Sequence, residues 1–201
     1  MKVKRILGVL STVALFSVFA TPAEAQFKIY GSYWNTSDVD DTFGGGVGFG
    51  IPFGESGLSL DLAGTYYQEL EDDPVDNLFD DDEGVFQDEG LEIVPFDVGL
   101  HYNFAPNGNF SPWIGAGATY FLIDTTRNNV EVDDETGWHV SVGSRIGQRD
   151  GVNFFAEAIY RSTEATLQRS EDDFPDPSDA VDEVNIDLDG VAVNAGILWT
   201  F

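Results

Sequence analysis

The chain has no cysteine, which excludes disulfide frameworks, thiol catalysis and thiolate metal sites. It is also poor in bases, with nine Lys and Arg against 36 Asp and Glu and a formal net charge of −27. That sign repels nucleic acid. After residue 25 only one lysine remains, Lys28, so a basic patch for anionic headgroups cannot be built. Nor does that part contain an apolar run long enough to cross a bilayer as a helix, and a helical membrane protein is excluded. Aromatics, at 13% of the chain, and 22 glycines are plentiful. The combination suits closely packed strands with aromatic belts better than helices.

The N-terminus reads as an export leader. Lys2, Lys4 and Arg5 form a basic segment, Ile6 to Ala20 an apolar one, and Ala23-Glu24-Ala25 a small-x-small cleavage site before Gln26. The expected organisation is a signal peptide over residues 1–25 and one domain over 26–201. Cleavage would remove Lys2, Lys4, Arg5 and Glu24, a net +2, and take the formal charge from −27 to −29.

The last twelve residues alternate strictly. Val191, Val193, Ala195, Ile197, Trp199 and Phe201 share one face, and Ala192, Asn194, Gly196 and Thr200 the other. A period of two with apolar residues outward and small or polar residues inward is the pattern of a membrane β-barrel strand. The same alternation and the turn residues predict eight strands, near Gln26–Asn35, Phe43–Phe53, Leu58–Glu69, Leu91–Phe104, Phe110–Ile123, Trp138–Gln148, Asn153–Thr163 and Asp189–Phe201. In the second, Gly44, Gly46, Gly48 and Gly50 line the face opposite Phe43, Val47, Phe49, Ile51 and Phe53, which inside a narrow barrel leaves room for bulky side chains from facing strands; some free volume would remain open, though the interior charges argue against it.

Short connections rich in turn residues (54–57, 105–109, 149–152) alternate with longer ones (36–42, 70–90, 124–137, 164–188). This rhythm, with both termini periplasmic, is that of bacterial outer-membrane barrels. A soluble β-sandwich also alternates, but it predicts neither this rhythm nor the Trp-Thr-Phe ending. The expected fold is therefore all-β, an eight-stranded antiparallel transmembrane barrel with up-and-down meander topology.

Three segments carry a resemblance to a known family: Ser111-Pro112-Trp113-Ile114-Gly115-Ala116-Gly117-Ala118-Thr119-Tyr120, Phe155-Ala156-Glu157-Ala158-Ile159-Tyr160-Arg161 and Gly196-Ile197-Leu198-Trp199-Thr200-Phe201. They resemble the small eight-stranded outer-membrane barrels of OmpX/OmpA type, the outer membrane protein β-barrel domain group often labelled porin family. The resemblance implies location in a Gram-negative outer membrane, contact with lipid and lipopolysaccharide, and assembly by machinery that reads a terminal aromatic signal, here Trp199 and Phe201. It specifies the fold better than a function, because such barrels include structural anchors, adhesins and proteins of no known activity.

Parity turns Lys28, Arg145 and Arg161 inward together with Asp61, Asp97, Glu157 and His101, with His139 nearby. Eight strands enclose an interior just wide enough for side chains, and an unpaired buried ion costs several kcal/mol. The expectation is an interior charge network that plugs the barrel. His139-Val140-Ser141 suggests a hydrolase, with Glu157 to orient the imidazole, and loosely resembles lipid A deacylase barrels. Those continue His-x-Ser with Asn, where this chain has Val142, and both side chains turn away from lipid. No catalytic residue and no cofactor is expected.

The remaining carboxylates crowd two connections. Asp80, Asp81, Asp82 and Glu83 lie in one, and Asp172, Asp173 and Asp176 in the other. Such density self-repels unless salt or cations screen it. Adaptation to a saline habitat and weak, diffuse Ca2+ or Mg2+ binding are the two readings. Asn185-x-Asp187-x-Asp189-Gly190 starts like an EF-hand loop but has Gly196 at the twelfth position in place of Glu. The expected role is a non-enzymatic structural or surface-interaction protein whose loops have no fixed local structure. A small porin-like solute channel is the alternative, and a lipid A-modifying barrel enzyme a more distant one.

Overall fold

A computed structural model describes residues 25–37, 41–70, 91–125, 130–132, 135–148, 151–169 and 184–201. The described chain forms eleven strands: β1 (Gln26–Thr36), β2 (Thr42–Pro52), β3 (Leu58–Leu70), β4 (Leu91–Asn103), β5 (Phe110–Thr125), β6 (Val130–Val132), β7 (Glu135–Gly147), β8 (Gly151–Ser162), β9 (Glu164–Arg169), β10 (Val184–Asp187) and β11 (Gly190–Thr200). Eight of them close into a barrel in the order β1-β11-β8-β7-β5-β4-β3-β2, every neighbour antiparallel. Closure pairs Gln26 to Thr36 of β1 with Thr200 to Gly190 of β11. The alternating C-terminal segment thus seals the barrel against the first strand. Closing the sheet removes its edges and gives backbone donors and acceptors their partners, the condition for strands to cross hydrocarbon.

Side-chain parity follows the period of two. Ile29, Val47, Val98, Leu100, Ile114, Val140, Val142, Val191 and Val193 face outward and are exposed. Aromatic residues flank this aliphatic zone. Phe53, Phe104, Phe110, Phe154 and Phe201 lie near the short connections, and Tyr66, Tyr120 and Trp138 toward the long ones. Apolar exposure on this scale is foreign to a soluble surface, whereas a lipid-facing band with two aromatic girdles demands it.

Among the described residues four glycines have positive φ, and all lie at or beside the short connections. Gly54 (62°) and Gly57 (78°) turn the chain between β2 and β3, where Ser56 Oγ donates to the Phe53 carbonyl at 2.8 Å. Gly147 (149°) and Gly151 (96°) bracket the connection from β7 to β8. An L side chain is strained at these angles.

The structure departs from the sequence reading in the long connections. Three short strands, in the order β10-β9-β6, form a second sheet there, in segments expected to lack local structure. Val130 and Val132, Ala165 and Leu167, and Val184 and Ile186 alternate within them, and pairing runs from Val184↔Leu167 to Asp187↔Glu164 and from Val130↔Arg169 to Val132↔Leu167. The dense carboxylates hid three- to six-residue strand signals that a sheet can nevertheless use. Barrel strands also outrun their expected limits: β5 reaches Thr125 and β7 begins at Glu135. Residues 1–24 and 71–90, and with them nearly all of the leader and the run Asp80 to Glu83, lie outside the described residues. So do Asp172, Asp173 and Asp176.

Candidate functional site in the barrel interior

The inner face is polar and filled. Near the short connections, Lys28 on β1 reaches Asp61 on β3 at 2.8 Å (Nζ to Oδ1). The His101 ring on β4 lies between two carboxylates, its Nδ1 3.8 Å from Asp61 Oδ2 and its Nε2 3.8 Å from Glu157 Oε1 on β8. Glu157 also accepts from Trp113 Nε1 (3.3 Å) and Asn194 Nδ2 (3.4 Å). Trp113 stacks on the imidazole at 6.0 Å with 17° between planes. Next to this group Tyr30, Trp113, Phe155 and Leu198 form a buried apolar cluster.

Toward the long connections lies a second group. Arg161 on β8 grips Asp97 on β4 through Nε (3.1 Å, Oδ1) and Nη2 (2.6 Å, Oδ2). Thr119 Oγ1 donates to Asp97 Oδ1 at 2.7 Å and meets His139 Nδ1 at 2.9 Å. Beside it Trp34 packs on Tyr67 (5.0 Å) and Phe121 (6.3 Å), and Ser32 Oγ pairs with Tyr67 OH at 2.6 Å. Trp34, Tyr67, Phe121 and Ile93 are completely buried. They form an apolar stopper that the sequence reading did not single out.

Of the seven residues expected to form one interior network, six fall into these two groups. Arg145 stands apart, its Nη2 donating to the Pro106 carbonyl at 3.0 Å beside the short β4–β5 connection. The strand stagger that decides which heights meet is a barrel property, and parity along one strand carries no trace of it.

The interior glycines make room for rings. A Cβ on Gly46 would strike the Tyr30 ring, on Gly44 that of Tyr67, on Gly143 that of Trp113 and on Gly115 that of His101. At each of these four positions the room beside the glycine holds a ring from a neighbouring strand, the use expected of the small residues on this face.

His139 and Ser141 share the inner face but take different partners, since Ser141 Oγ meets His101 Nε2 at 3.4 Å. Ser141, His101 and Asp61 thereby line up in the order of a hydrolytic triad. The backbone of Gly115 covers them: a single added carbon there would sit 2.6 Å from both Ser141 Oγ and His101 Nε2. An acyl substrate needs more room than that carbon. Trp199 and Phe201, the expected assembly signal, face outward and are accessible at the end of β11.

The closed eight-stranded barrel, its lipid-type outer face and its packed polar interior define a small membrane-barrel protein. Residues 9–201 match the family described as "Outer membrane protein beta-barrel domain", and the chain belongs to that family. The crystal structure of the outer membrane protein OprG from Pseudomonas aeruginosa is similar at TM-score 0.68 and 15% identity, over 89% of this chain and 96% of that one. Neisserial surface protein A (NspA) follows at 0.59 and 12%, over 89% and 96%. AlkL, determined by solid-state NMR in DMPC bilayers, is similar at 0.57 and 12%, over 89% and 90%. At these identities the likeness concerns the fold. No match was found among curated proteins.

Proposed function

We propose that the protein is a non-enzymatic outer-membrane anchor. Its filled barrel holds acidic loops at the cell surface for a structural or surface-interaction role. The observation that carries this reading is the interior: two hydrogen-bonded charge groups, each beside a packed aromatic layer, take the space that a solute path would need. The same packing counts against a porin-like channel, and the Gly115 backbone against hydrolysis at Ser141.

In this reading the leader over residues 1–25 is cleaved, and both termini and the short connections face the periplasm. Lipid and lipopolysaccharide surround the outer band. Trp199 and Phe201 serve the assembly machinery, and Ca2+ or Mg2+ screens the carboxylates weakly. The test is a peptide epitope inserted within residues 71–90 and a second one at residues 54–57, stained on intact cells. Labelling of the first alone is expected. Labelling of the second alone would invert the orientation and remove the surface role.

A further inference from the structure

We infer that Lys28 and Asp61 become joined by an amide bond, formed within the folded barrel with Glu157 and His101 as its proton carriers. Lys28 Nζ stands 2.8 Å from Asp61 Oδ1, and the carboxyl carbon is one bond beyond. Both side chains are buried, Lys28 at 3% exposure and Asp61 at 9%. They come from strands that are not neighbours, β1 and β3, each paired with β2. The glycines of β2 leave room for this crossing. A Cβ on Gly48 would lie 2.9 Å from Lys28 Cε, and one on Gly50 3.6 Å from Asp61 Oδ2. An amine and a carboxyl group fixed in reacting geometry behave as if present at about 10⁵–10⁸ M.

The surroundings favour an amide over an ion pair. Lys28 Nζ lies over the Phe155 ring, 5.7 Å from its centre, and Tyr30, Trp113 and Leu198 complete the buried apolar cluster beside it. Two ions are costly to hold in such a medium, whereas an amide is neutral. The charges of this group are also uneven. Glu157, close enough for its charge to act on Lys28, is a second carboxylate for a single lysine. Arg161 and Asp97 share the close contact but not the chemistry, because a guanidinium is not deprotonated to a nucleophile in a protein.

The step is a dehydration. Glu157 takes a proton from the Lys28 ammonium, and the freed amine attacks Asp61 Cγ. His101 spans the two carboxylates, with Nε2 3.8 Å from Glu157 Oε1 and Nδ1 3.8 Å from Asp61 Oδ2, spacings that catalytic hydrogen bonds show before they tighten. The imidazole therefore receives protons on the Glu157 side and delivers them on the Asp61 side. The two protons that Nζ gives up reach Oδ2, the Cγ–Oδ2 bond breaks and a water molecule leaves. Oδ1 remains as the amide carbonyl, and no other reactant is consumed. The bond would tie β1, which closes the barrel against β11, directly to β3.

The test follows residues 26–201 through refolding from urea into detergent, by intact mass and by reductive methylation after renewed denaturation. Lys28 is the only lysine in that segment, so its ε-amine is the only one the reagent can modify. Before refolding, the chain should have its full mass and a reactive Lys28. Afterwards the mass should fall by that of one water, Lys28 should resist methylation, and a digest should yield a branched peptide joining Lys28 to Asp61. Asp61→Asn should form the same bond with loss of ammonia in place of water. Glu157→Gln, which keeps an acceptor for Trp113 Nε1, should fold by circular dichroism yet retain its full mass. A refolded parent chain of full mass with a methylated Lys28 overturns the inference, as does a water loss that leaves Lys28 reactive. The bond forming undiminished in folded Glu157→Gln overturns the assigned proton carrier.

Discussion

Arg161 and Asp97 face each other across the barrel interior and meet through two hydrogen bonds, 3.1 and 2.6 Å long, with Arg161 wholly enclosed. Sixty-four positions separate them in sequence, so this pair joins β8 to β4 through the lumen as well as around the sheet. Breaking one partner of a buried pair leaves an uncompensated charge. Asp97→Asn is therefore expected to cost about 3–5 kcal/mol in denaturant unfolding in lipid vesicles. The double variant Asp97→Leu/Arg161→Met should recover much of the loss. Equal losses in both would mean that the pair is held by packing alone.

Glycines on the two faces answer to different constraints. A Cβ on Gly46 would overlap the Tyr30 ring, whereas one on the outward-facing Gly31 would meet nothing within 4 Å. Gly46→Ala should destabilise the barrel by about 1–3 kcal/mol through overpacking. Gly31→Ala should be neutral or stabilising by up to about 1 kcal/mol, because alanine loses less backbone freedom on folding. Unfolding midpoints of the two variants, measured side by side, check the contrast.

Asp189 fastens the loop-side rim. Its carboxylate accepts Tyr160 OH at 2.7 Å and the Thr163 backbone N–H at 2.9 Å, and its carbonyl accepts the Ser37 N–H at 2.9 Å. Asp189→Ala removes the first two bonds and keeps the third. Hydrogen exchange should accelerate at the Thr163 amide at least about tenfold, the equivalent of ~1.4 kcal/mol of local protection, while mid-barrel amides such as Val142 stay unchanged. A uniform acceleration would assign Asp189 to global stability instead.

Val142 faces outward midway along β7 and is 56% exposed. An arginine on the lipid face at the bilayer midplane costs about 2–4 kcal/mol. Val142→Arg should show that loss when the barrel is folded into bilayers. On a water-facing surface it would cost under about 0.5 kcal/mol, and that result would contradict the lipid-facing assignment.

Much of this architecture was legible from alternation alone. The inward parity of Lys28, Asp61, Asp97, His101, Glu157 and Arg161 follows from a period of two, which the barrel enforces because a one-residue slip would put charges in lipid. What joins them was not legible. Arg145 shares their parity but sits at another height, against Pro106, and height depends on stagger between strands distant in sequence. Trp34 and Phe121 escaped notice for a related reason. Both share the inward parity of a strand neighbour, Trp34 with Lys28 on β1 and Phe121 with Thr119 on β5, but that they meet in one layer depends on the same stagger. The strands β6, β9 and β10 are too short for periodicity to stand out among carboxylates.

The central claim is that the lumen is filled. Single-channel recording of refolded residues 26–201 in a planar bilayer addresses it most directly. The packed groups around Asp61 and Asp97 predict a silent barrel, with no reproducible current steps. Discrete steps of constant size would contradict that account, and would mean that water and ions pass between Lys28, Arg161 and their acidic partners.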